Sequence, residues 1–80
     1  MSESYTIGSS PHADISIEGD QYLSPRHARV FRADDGQVWI EDLGSTNGTF
    51  VNGMRVTTPT PISPGDVVRV GRSDLPWKLS

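Results

Sequence analysis

Apolar and polar residues alternate along much of this chain, with the period of two that β-strands show and α-helices do not. In Asp14-Ile15-Ser16-Ile17-Glu18 both isoleucines fall on one face. Val38-Trp39-Ile40-Glu41 places Val38 and Ile40 on one face and Trp39 on the other. No window of twelve residues carries an apolar helical stripe. The pattern predicts short, half-buried strands and disfavours a helical bundle.

Glycine and proline punctuate these strands. The 80 residues contain eight glycines and six prolines, which helix interiors tolerate poorly. Turns are predicted at Asp34-Asp35-Gly36, Asn52-Gly53 and Ser63-Pro64-Gly65-Asp66. Further strands are predicted at Tyr5-Thr6-Ile7, Ala28-Arg29-Val30-Phe31, Thr49-Phe50-Val51, Arg55-Val56, Val67-Val68-Arg69-Val70 and Trp77-Lys78-Leu79. Strands and turns at this spacing predict an all-β sandwich of two antiparallel sheets, in one domain over residues 1–80.

Composition argues against several classes of function. Without cysteine the chain can form neither a disulfide framework nor a thiolate metal site, and no run approaches the roughly 18 apolar residues of a membrane helix. Seven basic and ten acidic residues give a net charge of −3, which argues against a general nucleic-acid binder. His12 and His27 show no zinc-ligand spacing. We therefore expect a soluble, cytoplasmic protein without cofactor or metal, and no nucleic-acid or membrane partner.

Three loops are richer in Ser, Thr, Asn and Gly than chain reversal requires. They span residues 8–13, 19–26 and 42–48. In a sandwich, loops that follow alternate strands gather at one end, and binding residues concentrate on such loops. The sequence therefore predicts a polar site where these loops meet.

The segment Ser24-Pro25-Arg26-His27 is open to three interpretations. A serine nucleophile beside a histidine base would make an enzyme, but no G-x-S-x-G elbow surrounds Ser24. Alternatively, Ser24 and Arg26 donate hydrogen bonds to an anion while His27 braces the loop, or the segment is a plain polar turn. Residues 43–49 lack the lysine of a phosphate-binding P-loop, so they are either a site of another kind or a decorated turn.

Taken in order, the motifs resemble the forkhead-associated (FHA) domain family of β-sandwiches that bind phosphothreonine peptides. The resemblance covers about residues 5–79, and its combination of motifs is highly specific although no single motif is. The matching segments are Thr6-Ile7-Gly8, Ala13-Asp14-Ile15, Leu23-Ser24-Pro25-Arg26-His27-Ala28, the run from Asp42-Leu43-Gly44-Ser45-Thr46-Asn47-Gly48-Thr49 to Asn52-Gly53, and Gly65-Asp66-Val67-Val68-Arg69-Val70-Gly71.

The resemblance implies a role for each residue of the site. Ser24 and Thr46 are similar to the two hydroxyl contacts that the family makes to phosphate. Arg26 matches the basic residue before the histidine, and Asn47 matches the asparagine that holds the ligand backbone. The expected phosphopeptide-binding residues are Ser9, Ser24, Arg26, Ser45, Thr46 and Asn47. Structural support is expected from Gly8, His27, Gly48, Asn52 and Gly53.

Two positions depart from the family. Ser9 stands where the family usually has an arginine that binds phosphate, and serine brings one hydrogen bond but no charge. Only Met1-Ser2-Glu3-Ser4 precede the first matching strand, where the family has more β-structure. The alternatives are a minimal fold lacking its first strand or strands, a fragment, and an open edge through which the chain self-associates weakly.

The function expected from the resemblance is that of a non-catalytic interaction module. Its partner would be a phosphothreonine-containing protein or peptide, supplied by a Ser/Thr kinase pathway. The alternative, which Ser9 favours, is an FHA fold that binds its partner independently of phosphorylation.

Overall fold

A computed structural model describes residues 3–75, in which nine strands form two sheets. The strands are β1 (Glu3–Gly8), β2 (Ile15–Ser16), β3 (Ala28–Arg32), β4 (Val38–Asp42), β5 (Thr49–Val51), β6 (Met54–Arg55), β7 (Thr60–Ile62), β8 (Val68–Val70) and β9 (Ser73–Asp74). The strand predicted at Trp77-Lys78-Leu79 lies outside the described residues. Within residues 3–75, no helix is long and apolar enough to cross a membrane.

The two sheets confirm the predicted all-β sandwich. Sheet A has the strand order β2-β1-β3-β4-β7, and sheet B has the order β6-β5-β8-β9. Every pair is antiparallel except β1 and β2, which run parallel with Ile7 opposite Ile15. The sandwich of two antiparallel sheets is thus confirmed, with one parallel pair at an edge of sheet A that the sequence did not predict. The loop after β1 brings the chain back alongside it, and Asp14 Oδ2 accepts the Thr6 N–H at 2.9 Å.

The alternation seen in the sequence builds the core between the sheets. Val38 and Ile40 are buried as predicted, while Trp39 between them lies half-buried on the outer face of sheet A. Val30 of β3 pairs with Ile40 and is equally buried. Sheet B contributes Val51, Val68 and Val70, all buried. Full burial of an aliphatic side chain of this kind stabilises the fold by about 1.5–3 kcal/mol.

The Asn52-Gly53 turn connects β5 to β6 as the sequence predicts. Both residues have positive φ, 51° and 83°, and they join the paired residues Val51 and Met54 in a two-residue hairpin. The Asn52 amide also accepts the Val67 N–H at 2.9 Å, and it donates to Asp66. These bonds tie the hairpin to the start of β8, which agrees with a structural role for Asn52 and Gly53.

The strand β1 has neighbours on both sides, since β2 and β3 flank it in sheet A. Among the described strands the sheet edges are formed by β2, β7, β6 and β9. Self-association through an open edge stays a prediction. If it occurs through a described strand, one of these four would carry it rather than β1.

Candidate functional site

The three polar loops meet at one end of the sandwich. We name them loop 1 (residues 9–14), loop 2 (17–27) and loop 3 (43–48). Loop 1 joins loop 2 through the Ser9 N–H, which donates to the Ser24 carbonyl at 3.1 Å. Loop 3 joins loop 2 through the Thr46 N–H, which donates to Ser24 Oγ at 3.2 Å. The predicted convergence of the loops is confirmed, with Ser24 at its centre.

His27 lies beneath the three loops and is fully buried. Its Nδ1 accepts the Ser24 N–H at 3.1 Å, so the ring donates from Nε2 to the Gly48 carbonyl at 2.7 Å. The backbone N–H of His27 donates to the Ile7 carbonyl at 2.8 Å. Because both ring nitrogens hold backbone groups, His27 braces the loops and leaves no nitrogen for a ligand.

These bonds argue against the nucleophile interpretation of Ser24. The group of Ser24 that His27 contacts is its backbone N–H, not its hydroxyl. A base must accept the hydroxyl proton to activate a serine. The described residues also contain no group of three His, Cys, Asp or Glu side chains that could hold a metal ion.

Asp42 organises loop 3 from the end of β4. Its carboxylate accepts the hydroxyls of Ser45 and Thr49 and the N–H groups of Gly44 and Ser45, over 2.5–3.1 Å. Burial raises the pKa of the Asp42 carboxyl, but the hydrogen bonds from Ser45 and Thr49 outweigh burial and lower it. The sequence analysis did not single out Asp42, although an aspartate three residues before a serine is a common local hydrogen-bonding pattern.

The hydroxyl of Ser45, one of the predicted ligand contacts, is turned into loop 3. The residue is only 9% exposed, and its hydroxyl donates to Asp42 Oδ1 at 2.5 Å. Ser45 Oγ also accepts the Gly48 N–H, at 3.0 Å. The only proton of the hydroxyl is therefore committed inside loop 3, and we expect Ser45 to support the loop instead of contacting a ligand.

Three of the other predicted residues present free donors at the surface. Ser24 Oγ accepts from Thr46, which leaves its hydroxyl proton available. The Thr46 side chain is exposed, and its hydroxyl has no partner among residues 3–75. Arg26 is exposed and forms no ion pair with a described carboxylate. These groups can bind an anion.

Asn47 stands beside these donors and is held from one side. Its Nδ2 donates to the Tyr22 carbonyl at 2.8 Å, which links loop 3 to loop 2. One Nδ2 proton is used in this bond, so the other proton and Oδ1 remain to pair with a backbone amide group. The side chain is exposed and oriented in advance of binding.

Gly8 and Ser9 lie where loop 1 contacts loop 2. A Cβ on Gly8 would lie 1.9 Å from the Pro25 carbonyl oxygen, so only glycine fits there. The Ser9 side chain is half-buried and its hydroxyl has no partner among the described residues. The structure thus brings Ser9 next to Ser24, as expected, but no guanidinium stands at this position.

A further contact, between loop 2 and the β8–β9 turn, could not be read from the sequence. Asp20 accepts the Arg72 N–H at 2.8 Å, the Ser73 hydroxyl at 2.7 Å and the Tyr22 N–H at 2.9 Å. The hydrogen bond from Ser73 is the main reason that the pKa of Asp20 lies below its usual value. Arg72 stacks on the Tyr22 ring at 4.5 Å, which places a positive charge beside the residue that Asn47 contacts.

Comparison with known proteins places this geometry in context. A model of the FHA domain matches residues 5–71. The FHA domain-containing protein FhaB of Mycolicibacterium smegmatis is 41% identical over 75 residues, which cover 85% of this chain and 47% of FhaB. The chain therefore spans less than half the length of that relative.

Two solved structures superpose closely. The FHA domain of the CT664 protein from Chlamydia trachomatis has a TM-score of 0.80 at 38% identity, covering 86% of this chain and 69% of that one. The N-terminal FHA domain of S. cerevisiae Rad53p, solved with a phosphothreonine peptide, has a TM-score of 0.79 at 32% identity, covering 86% and 56%.

Proposed function

Because the chain belongs to the FHA domain family, we propose that it binds phosphothreonine-containing peptides of a partner in a Ser/Thr kinase pathway. The observation that carries the proposal is the contact between loops 2 and 3 at Ser24 and Thr46. It brings Ser24 and Thr46, which each carry a hydroxyl proton that no described group accepts, into contact at the end of the sandwich. The Rad53p domain, which has a similar fold, was solved with such a peptide bound.

The donors suit a phosphate group. A phosphothreonine carries about −1.5 to −2 charges at neutral pH and has three acceptor oxygens. The hydroxyls of Ser24 and Thr46 and the guanidinium of Arg26 can each donate to one of these oxygens. Hydrogen bonds to an ionised acceptor are roughly twice as strong as neutral ones. The Asp42 carboxylate is turned into loop 3 and bonded to Ser45 and Thr49, so it occupies none of these three donors.

Asn47 gives the site its preference for a peptide over a free anion. Its unused Nδ2 proton and Oδ1 can pair with the backbone next to the phosphothreonine. The methyl group of threonine adds about 0.8 kcal/mol when buried, or roughly fourfold in affinity over phosphoserine. The site therefore recognises a phosphorylated residue together with its chain.

The domain acts in this proposal as an interaction module and catalyses no reaction. Among the described residues Ser24 has no base to activate it, since His27 is committed to backbone groups. The single domain over residues 1–80 and the cytoplasmic location are part of the same proposal. The cytoplasmic location is proposed because kinases make phosphothreonine from ATP, and ATP is abundant inside cells.

A second candidate function rests on Ser9. Without an arginine at this position, loop 1 supplies no charge to a dianion. Since a hydrogen bond to a charged group contributes about 1.5–3 kcal/mol, its absence would lower phosphopeptide affinity roughly ten- to a hundredfold. In that case the same fold would bind a partner through a surface that does not read phosphate.

One titration separates the two candidates. A peptide selected from a degenerate phosphothreonine library is prepared in phosphothreonine, phosphoserine and unmodified threonine forms, and its affinity is measured by calorimetry. We expect the order phosphothreonine, phosphoserine, threonine, with the last too weak to measure. Failure of the library to yield a phosphate-dependent peptide, or equal affinity of the first and last forms, would contradict the proposed function.

A further inference from the structure

The outer face of sheet B carries a row of side chains that the proposed function does not use. Phe50 of β5 lies directly opposite Arg55 of β6 on one side and Arg69 of β8 on the other. Arg69 in turn pairs with Asp74 of β9. Since directly paired residues point to the same face, these four side chains form one row. We call it the arginine–phenylalanine face.

This face adjoins the proposed binding site. The Arg55 Nε lies 3.1 Å, and its Cζ 3.2 Å, from the point that a Cβ on Gly48 would occupy. The Phe50 ring lies 3.3 Å from the same point. Gly48 directly follows Asn47, so the guanidinium of Arg55 covers the residue next to the one that would hold the ligand backbone.

The charge of the face is only partly compensated. Arg55 forms no ion pair with a carboxylate of residues 3–75, and Arg69 pairs with Asp74 through Nε at 3.1 Å, both side chains being largely exposed. On the outer face of sheet A, by comparison, Arg29 forms a shorter ion pair, with Glu41 at 2.8 Å. Arg55 and Arg69 against Asp74 leave the row with one net positive charge, in a chain whose net charge is −3.

Apolar surface accompanies these charges. Phe50 and Val67 help to line a groove of about 560 Å³ together with Arg69, Arg72 and Asp74, the carboxylate that pairs with Arg69. Val67 is 54% exposed. A segment that combines acidic side chains with an apolar one would match both the groove and the charges of its rim.

We propose that the arginine–phenylalanine face binds an acidic segment of the same partner protein whose phosphothreonine enters the loop site. The inference rests on the proposed function, because a phosphopeptide held at Asn47 would carry its flanking residues toward Arg55. Exposed ion pairs contribute modestly, so each arginine raises affinity between about 1.5-fold and fivefold. The gain falls as salt is added, since the face is open to solvent.

The test compares tailed forms of one phosphothreonine peptide. The library-selected peptide is extended, at either end in turn, by a flexible Gly-Ser linker and the segment Glu-Glu-Leu-Glu-Glu, with Gln-Gln-Leu-Gln-Gln as the neutral control. Affinities are measured by fluorescence anisotropy for the wild type and for Arg55→Gln and Arg69→Gln. Arg29→Gln is the matched control, since it removes the same charge from the opposite sheet.

We expect the acidic tail, at one end of the peptide, to bind severalfold more tightly than the neutral tail. That gain should shrink in Arg55→Gln and Arg69→Gln but not in Arg29→Gln, and NMR shifts caused by the tail should map to Phe50, Gly53 and Val67. Equal affinity of the two tails at both ends, or a gain that survives in Arg55→Gln, would overturn this inference alone. Equal binding of the short peptide with and without phosphate would overturn the proposed function as well.

Discussion

The backbone N–H of Thr46 donates to the side-chain oxygen of Ser24 at 3.2 Å, although the two residues lie 22 positions apart in the chain. This bond joins loops 2 and 3 into one continuous surface. It also sets the direction of the Ser24 hydroxyl, because an oxygen that accepts from Thr46 keeps its own proton for a ligand. The candidate site is thus assembled before a ligand arrives, and little ordering of the loops opposes binding.

Substitutions should separate residues that contact the ligand from those that brace the loops. Ser24→Ala, Arg26→Ala and Thr46→Ala are each expected to weaken binding of a phosphothreonine peptide about tenfold or more, with little change in melting temperature. His27→Ala should lower both stability and affinity, since it leaves the Ser24 N–H and the Gly48 carbonyl without partners. Calorimetry and thermal unfolding measure the two effects. A stable His27→Ala domain that alone had lost all binding would show that His27 contacts the ligand.

Ser45 and Thr46 are neighbours with opposite expected roles. Ser45→Ala should reduce the free energy of unfolding by about 1–3 kcal/mol, because it deprives the buried Gly48 N–H of its acceptor and Asp42 of a donor. Thr46→Ala should leave stability nearly unchanged and reduce affinity. Denaturant unfolding and peptide titration on both variants check the contrast. If Ser45→Ala proved as stable as the wild type but bound poorly, the inward assignment of its hydroxyl would be wrong.

Acid should weaken loop 3 through Asp42. The folded pKa of Asp42 is lowered, so its carboxylate stabilises the native state above the unfolded pKa of about 3.9, and this contribution is lost as pH falls through the folded value. Asp20 and Asp66 also have lowered pKa values and add to the same loss. Urea unfolding between about pH 6 and pH 2 should show stability that falls with acid.

The comparison variant for this pH effect is Asp42→Asn. It is expected to be less stable near neutral pH and to lose less stability on acidification, because one of the linked groups is gone. Ser45→Ala should change the slope in the same direction, since it removes a donor that lowers the pKa of Asp42. A slope identical in all three proteins would mean that Asp42 makes no contribution to the acid response.

The sequence predicted those features that depend on local pattern. Alternation identified Val38 and Ile40 as core residues, and Asn52-Gly53 could be read as a hairpin because few other residues adopt positive φ. The parallel pairing of β2 could not be read, since the alternation over residues 14–18 marks the face that is buried but not the direction of the neighbouring strand. Nothing local in the sequence indicates that Tyr22 and Arg72, fifty residues apart, stack on each other.

Ser45 shows why the site was predicted only in part. Serine, threonine and asparagine in loop 3 all carry hydrogen-bonding groups, and composition alone does not tell which of them face inward. The structure decides this through Asp42, whose carboxylate draws in the hydroxyls of Ser45 and Thr49 and leaves Thr46 outside. A local rule for aspartate followed by serine would have identified the inward residue.

Ser9 offers the most direct way to strengthen the site. Ser9→Arg would place a guanidinium on loop 1 at the position where the family usually has arginine. The backbone N–H of residue 9 donates to the Ser24 carbonyl, so the new side chain would start beside Ser24. Forked, charge-assisted contacts are roughly twice as strong as neutral ones, so affinity for a phosphothreonine peptide should rise about ten- to a hundredfold. Part of the gain should disappear with added salt, because the loops are exposed. Calorimetry with one peptide, at low and high salt, measures both effects.

Two controls show whether a gain in the affinity of Ser9→Arg comes from a forked guanidinium contact at that position. Ser9→Gln adds a long side chain without charge. Ser63→Arg adds the same charge at an exposed position at the other end of the sandwich, next to Ile62, which pairs with the start of β4. Neither should approach the affinity of Ser9→Arg if the guanidinium contacts phosphate. A similar gain in Ser63→Arg would indicate general electrostatic attraction instead. If the affinity of Ser9→Arg is unchanged while the wild type binds in a phosphate-dependent manner, Arg26 or Arg72 already supplies the charge. Both arginines lie beside the same loops, and neither forms an ion pair with a carboxylate of residues 3–75.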